Sequence, residues 1–199
     1  MSKTIDYYFA TISPFAYLGH DRFVALSQQH GAQIAVKPMN LGEIFPVSGG
    51  LPLSKRAPQR QAYRLVELQR WSQFLGKPMH IKPKFFPANG DLAAYWILAA
   101  AETGTPQALA LAGAVGRALW EQERDIADPV TMAAIAGECG LETATLGARA
   151  NEPDIAARYG TTTQEAIARG VFGAPTYIYQ DELFWGQDRL DFLGRKLAK

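Results

Sequence analysis

Phe9-Ala10-Thr11-Ile12-Ser13-Pro14-Phe15-Ala16-Tyr17-Leu18-Gly19, read together with Gly173-Ala174-Pro175-Thr176 near the other end, decides the fold of this chain. The first stretch closes a β-rich run, Ile5 to Phe9, and opens a helix with Ser13 as its N-cap and Pro14 in its first turn. A helix N-terminus carries unpaired N–H groups and a partial positive charge, so it stabilises an anion placed against it. The second stretch reads as a turn ahead of another short strand, Pro175 to Tyr179.

Outward from these two stretches, the spacing of Phe15, Leu18, Phe23 and Leu26 continues the first helix to His30, with Gly31 as its stop. Ile34 to Met39 then reads as a second strand, and a β-α-β order with a short crossover implies a parallel pair. From about Ala57 to Arg169 the pattern is helical. Ala62, Leu65, Leu68, Trp71 and Leu75 share one face before Gly76. Asp91 is expected to cap a helix running to Gly104, Thr105-Pro106 to open the next, and Asp128-Pro129 another ending near Gly140. Thr162 with Glu165 fits a capping box, and Gly170 a C-terminal stop. β pattern returns in Pro175 to Tyr179 and Leu183 to Trp185 around a Gln180-Asp181-Glu182 turn, before a last helix from about Asp188 to Leu197. The expected architecture is an α/β thioredoxin-like sheet, made of a β-α-β and a β-β-α unit, with an all-helical domain inserted. Residues 1-55 and 170-199 would form the sheet domain and 56-169 the insertion.

Composition bounds the function. The chain has 199 residues, 48% of them hydrophobic and 20% charged, enough for one well-buried domain carrying a large insertion. A formal net charge of +1, with Lys and Arg scattered, argues against a nucleic-acid partner. The single cysteine, Cys139, excludes an internal disulfide and suits a reducing, cytoplasmic setting. The start of the chain shows no signal-peptide core, and no segment reads as a membrane span. His20, His30 and His80 are too widely spaced to suggest a metal site.

Three places could carry chemistry. Ser13 reads first as an ordinary cap, worth about 1 kcal/mol, and in a functional reading as a hydroxyl donor to a bound thiolate. A free thiol ionises near pH 8.5, so a helix N-terminus plus a hydroxyl would raise its reactive fraction at neutral pH. In a thioredoxin-like fold this helix start normally holds the redox cysteines. Here Ser13 and Ala16 stand in their places, so any thiol must come from a ligand. Ala174-Pro175-Thr176 sits where such folds place a cis-proline, whose preceding residue offers its backbone N–H and C=O to an extended peptide. Trp185-Gly186-Gln187-Asp188-Arg189-Leu190 reads as a turn with Asp188 as cap, or as a segment whose Gln187 and Asp188 face the charged end of a bound peptide.

Jointly, Ser13-Pro14-Phe15-Ala16-Tyr17-Leu18, Leu68-Gln69-Arg70-Trp71, Arg169 to Thr176 and Trp185 to Leu190 resemble the 2-hydroxychromene-2-carboxylate isomerase family over essentially the whole chain. That family is similar to kappa-class glutathione transferases and Dsb-type oxidoreductases. The resemblance implies glutathione as cofactor, with Ser13 as catalytic serine beside its sulfur. It also implies that the Ala174 backbone pairs with the cysteinyl part, and that Trp185, Gly186, Gln187 and Asp188 hold the γ-glutamyl end. The implied reaction adds the thiolate to a conjugated hemiketal, opens its ring, frees a carbon–carbon bond to rotate, and regenerates glutathione. The naphthalene-degrading members line the aromatic acid's pocket with a lysine and an Asn-Arg pair. Alignment puts Phe45 and Ser54-Lys55 at those positions, keeps Phe85 and Phe86 as aromatic lining, and leaves Lys55 or Arg56 to replace the lost charge. The implied partners are glutathione and a small aromatic carboxylate, with a homodimer as assembly. A kappa-like transferase or peroxidase is the close alternative, and a non-catalytic peptide-binding protein the distant one.

Overall fold

The computed structural model describes residues 3–199. In chain order it comprises β1 (Thr4–Phe9), α1 (Pro14–Gln29), β2 (Gln33–Pro38), α2 (Leu41–Ser48), a one-turn 3-10 helix (Leu53–Lys55) and α3 (Pro58–Leu75). There follow α4 (Asp91–Thr103), α5 (Thr105–Trp120), α6 (Pro129–Glu138), α7 (Thr143–Ala150) and α8 (Pro153–Ala168). The chain ends with β3 (Thr176–Tyr179), β4 (Glu182–Trp185), a second 3-10 turn (Gln187–Arg189) and α9 (Leu190–Leu197).

The four strands form one mixed sheet in the order β2-β1-β3-β4. β1 and β2 are parallel, as a short helical crossover requires, while β3 runs antiparallel to both β1 and β4. β1 is central and covered on both faces, which explains the unbroken apolar run Tyr7, Tyr8, Phe9 in place of alternation. The β3–β4 hairpin turns on Gln180 and Asp181, both at positive φ as a two-residue hairpin of matching twist demands. All strands fall outside residues 56–169, and that segment is helical. Its helices nevertheless share one hydrophobic cluster with the sheet, from Ile5, Tyr7 and Phe23 to Trp96, Leu111 and Trp120.

Several expected helix starts move. Asp91 and Thr105 are first-turn residues rather than caps; Gly90 and Gly104 precede them, and the Asn89 side chain accepts from the Asp91 N–H at 2.9 Å. Asp128 does cap α6, accepting from the Thr131 N–H. The Thr162–Glu165 capping box does not form, because both residues lie inside α8, which starts at Pro153. Thr161 and Thr163 turn their hydroxyls back onto the Ala157 and Tyr159 carbonyls, so the helix absorbs its threonines without breaking. On α3 only Leu68 is fully buried, and Ala62 is exposed. The inward row is Arg64, Leu68, Trp71 and Leu75.

His20 sits in the core between α1 and α5, its Nε2 3.0 Å from the Leu109 carbonyl and its Nδ1 3.5 Å from the Tyr7 hydroxyl. Burial holds its pKa down to about 4, and the nearby Asp21 carboxylate only partly opposes this. The unfolded chain protonates His20 below about pH 6.5, but the folded chain does not, so stability falls as pH drops from about 6.5 towards 4. The full difference is worth about 3 kcal/mol. Denaturant titrations of the wild type and His20→Gln across this window should show the wild type losing stability faster. Parallel curves would rule out a buried neutral imidazole.

Candidate functional site

The β1–α1 junction presents the first half of the site. Ser13 is 7% exposed, with an extended backbone, and its Oγ accepts from the Ala16 N–H at 3.2 Å. Pro14 has no N–H and Tyr17 already donates to the Ser13 carbonyl, so the Phe15 N–H is the open donor of this first turn. The junction is pinned from the far side by Thr11, whose hydroxyl donates to the Gly90 carbonyl at 2.9 Å. A Cβ on Gly90 would stand 2.3 Å from that hydroxyl, so only glycine permits the approach.

Ala174 supplies the second half. The Ala174–Pro175 peptide is cis, and the Thr176 hydroxyl closes the preceding turn onto the Gly173 carbonyl at 2.8 Å. The Ser13 hydroxyl donates to the Ala174 carbonyl at a long 3.4 Å, bringing two residues 161 positions apart into contact. Among the described residues the Ala174 N–H donates to nothing. An open N–H beside a weakly engaged C=O is an arrangement that can receive another extended chain.

Trp185, Gly186, Gln187 and Asp188 flank this edge, but not in the expected way. Trp185 is 50% exposed and packs on Phe172, with ring centroids 4.8 Å apart, over a Gly173 whose Cβ would meet the indole Nε1 at 2.4 Å. The Gly186 N–H donates to the Pro175 carbonyl at 2.9 Å. Gln187 turns inward: it is 1% exposed, and its Oε1 accepts from Arg22 at 3.0 Å. Asp188 is exposed and paired with Arg189 at 2.6 Å, and it caps nothing. Sequence reading treated Gln187 and Asp188 alike because both are polar residues at a turn. The close approach of Gly19, whose Cβ would lie 2.6 Å from Gln187 Cβ, is what draws Gln187 into the core.

The expected substrate wall divides similarly. Phe45 is half-buried with the Arg56 guanidinium 5.7 Å from its ring centroid, whereas Ser54 and Lys55 are exposed on their 3-10 turn. Of the two candidate cations, Arg56 is the inward one. Phe86 packs on Trp120 at 4.9 Å. Sequence reading missed Arg64, which lies 5.3 Å from the Phe86 centroid and 6.0 Å from that of Trp120. The available signal was its position one turn before Leu68 on the inward row of α3. A cavity of about 1110 Å³ lies elsewhere, between α1, β2, α5 and the end of α6, and none of the expected site residues lines it. Among the described residues no cluster of His, Cys, Asp and Glu could hold a metal ion, and no helix is long and apolar enough to cross a membrane.

The Gly19–Gln187 contact sets the height of the Trp185–Asp188 segment over α1. Gly19→Ala should therefore cost about 1–3 kcal/mol by overpacking, because the Gln187 backbone as well as its side chain is in the way. Gly160→Ala on α8 meets nothing within 4 Å and should stabilise by about 0.5–1 kcal/mol. Thermal melts of both variants check the pair; equal effects would contradict the contact.

The DSBA-like thioredoxin domain family matches residues 4–198. A 2-hydroxychromene-2-carboxylate isomerase of Sphingobium xenophagum is 30% identical over 194 residues, covering 97% of each chain. A solved structure of 2-hydroxychromene-2-carboxylate isomerase superposes with a TM-score of 0.81 at 29% identity, over 98% of this chain and 94% of that one. A glutathione S-transferase kappa 1 of Caenorhabditis elegans is 33% identical over 82 residues, 41% of this chain and 36% of that one. A strand–helix junction with serine in place of cysteine, a cis-proline edge beside it and full-length agreement with these isomerases lead to one assignment: the chain belongs to the DSBA-like thioredoxin domain family, and within it to the 2-hydroxychromene-2-carboxylate isomerases.

Proposed function

We propose that this protein is a glutathione-dependent cis–trans isomerase that interconverts a 2-hydroxychromene-2-carboxylate-type hemiketal and trans-o-hydroxybenzylidenepyruvate in aromatic catabolism. The observation that carries the reading is the meeting of Ser13 with the open backbone of Ala174 at the start of α1, in a fold where no cysteine stands at that place. Its residues fit a short thiol peptide. The Ala174 N–H and C=O match the main chain of a cysteinyl residue, and the half-exposed Trp185 offers an apolar wall beside them. Glutathione, when bound, supplies a thiolate able to add reversibly to a conjugated carbon. The chain's own part is electrostatic and positional. The Ser13 hydroxyl, held only at 3.4 Å by the Ala174 carbonyl, is free to swing onto an anion, and the open Phe15 N–H and the helix dipole act in the same direction. Asp188, at the surface, suits an ammonium group, whereas buried Gln187 acts by holding the segment in place through Arg22.

The aromatic acid then falls to the wall made by Phe45, Phe86 and the segment around Ser54 and Lys55. A cytoplasmic location rests on the lone, half-buried Cys139, and a homodimer on the family resemblance. A kappa-like transferase or peroxidase is the second reading, favoured by the partial match to the nematode kappa enzyme. It would use the same serine and differ only in its electrophile.

Isomerisation followed by absorbance should require added glutathione. Ser13→Ala should bind glutathione within a few-fold of wild type but lose at least tenfold in rate. The acidic limb of its pH–rate profile should move up by about one pH unit, because a thiolate without its hydroxyl donor ionises less readily. Full rate with an unmoved profile would remove Ser13 from the chemistry and leave it a cap.

A further inference from the structure

Arg64 is a cation without a counterion. It is half-buried on the inward row of α3, and among the described residues its guanidinium makes no hydrogen bond and lies within 4 Å of no carboxylate. Its surroundings are aromatic: Phe86 at 5.3 Å and Trp120 at 6.0 Å, with these two rings packed on each other. The Trp120 indole N–H is itself buried and unpartnered. Arg56 stands close by over Phe45, and only its Nε is engaged, donating to the Leu51 carbonyl at 2.8 Å. Burial, aggravated by the Arg56 charge, pushes Arg64 down to about 10. Other half-buried cations have a carboxylate or an oxygen acceptor: Lys37 pairs with Asp6 and Glu165, Lys77 with Asp21 and Arg169 with Asp6, while Lys3 donates to the Leu197 carbonyl and Arg22 to Gln187. Desolvating a guanidinium without an anion is costly, and stacking over rings returns only part of the cost.

The place of this pair in the fold is informative. Phe86 leads in four residues to Gly90, whose carbonyl is held by Thr11, two residues before Ser13. The same loop is tied to α5 by the His80 N–H on the Trp120 carbonyl at 2.6 Å, and to α1 by the Tyr17 hydroxyl on the Pro78 carbonyl at 2.6 Å. The loop that carries Phe86, the ring beside the unpaired cation, is thus the loop that pins the Ser13 junction. We propose that Arg64, supported by Arg56, is the binding site for the carboxylate of a planar aromatic acid whose ring rests against Phe86. The planar guanidinium fork suits a carboxylate, and the exposed Lys55 is not required. The assignment rests on reading this wall as the electrophile's side of the site, and it makes Arg64 a specificity-determining residue.

The test is calorimetric titration of the full chain, without glutathione, using trans-cinnamate and its neutral counterpart cinnamamide. Wild type should bind cinnamate more tightly than cinnamamide. Arg64→Met should weaken cinnamate about 30-fold and change cinnamamide less than about threefold, while Arg64→Lys should fall between. Arg56→Gln should weaken cinnamate about three- to tenfold, and it keeps the proposal testable if Arg64→Met fails to fold. The proposal is overturned if wild type shows no preference for the carboxylate or no binding at about 10 mM. Equal loss of both ligands in Arg64→Met, or unchanged cinnamate binding in Arg64→Lys and Arg56→Gln together, would also overturn it. Absence of glutathione-dependent turnover would instead count against the isomerase reading, and the cinnamate preference would stand apart from it.

Discussion

Tyr7 lies directly opposite Tyr177 across the β1–β3 ladder, its ring 5.5 Å from that of Tyr177, 4.5 Å from Phe9 and 4.7 Å from Phe23. Phe23 in turn touches Tyr177 at 4.5 Å, so α1 is clamped onto the two central strands by a closed set of rings. Each such pair adds about 0.5–1.5 kcal/mol beyond the area it buries. The more important consequence is geometric. The ladder ends at Tyr8↔Thr176, so the chain leaves β1 towards Ser13 at the same end of the pair at which Ala174 leads into β3. A slip of one residue would send Tyr7 to the other face of the sheet and part Ser13 from the Ala174 edge.

The approach to Ala174 from the other direction is fixed by charge. Asp6 on β1 pairs with Arg169 and, at 3.1 Å, with Lys37 on β2, while Lys37 reaches Glu165 on α8 at 2.5 Å. The last turn of α8 is thus tied to two strands, and the Gly170–Pro175 segment starts from an anchored point. These side chains are only about a fifth to a quarter exposed, apart from the more open Glu165, so salt screens them less than ordinary surface pairs. Aromatic register and ion network act on the same short segment from its two ends. That is how a loop keeps a backbone N–H unengaged yet fixed in place.

Much of this was legible in the sequence because it was written locally. Ser13-Pro14 and Asp128-Pro129 announce helix starts through the chemistry of the first turn, and both hold. The sheet follows from β-rich runs whose connections allow few topologies. What could not be read depends on contacts between distant parts. Gln187 is polar at a turn, yet it is buried because Gly19 on α1 leaves room for its Cβ and Arg22 satisfies its amide. Thr162 and Glu165 match a cap locally, but the helix already running from Pro153 overrides them. Arg64 looks like an ordinary solvated arginine until Phe86 and Trp120, brought in by the loop after α3 and the end of α5, come up against its guanidinium. Periodicity placed Ala62 on the buried face of α3 for the complementary reason. Nothing in the chain's own pattern reveals that α3 meets the core through a single fully buried side chain.

A site that joins a thiolate to an aromatic acid must hold two negative charges near each other. At an effective dielectric constant of about 20, unit charges ~8 Å apart repel by about 2 kcal/mol, which alone would weaken joint binding some thirtyfold. One anion can be met by the open N–H groups and dipole of α1, which cost nothing to organise because the helix exists already. The other needs a cation. That cation has to stay unpaired until the ligand arrives, since an internal carboxylate would compete with the ligand's own. The contrast between Lys37, Lys77 and Arg169, each matched to an acid, and Arg64, matched to none among the described residues, is the electrostatic asymmetry that the proposed two-anion site would use. A net charge of only +1 conceals it, because the asymmetry lies in which cations are left free rather than in how many there are.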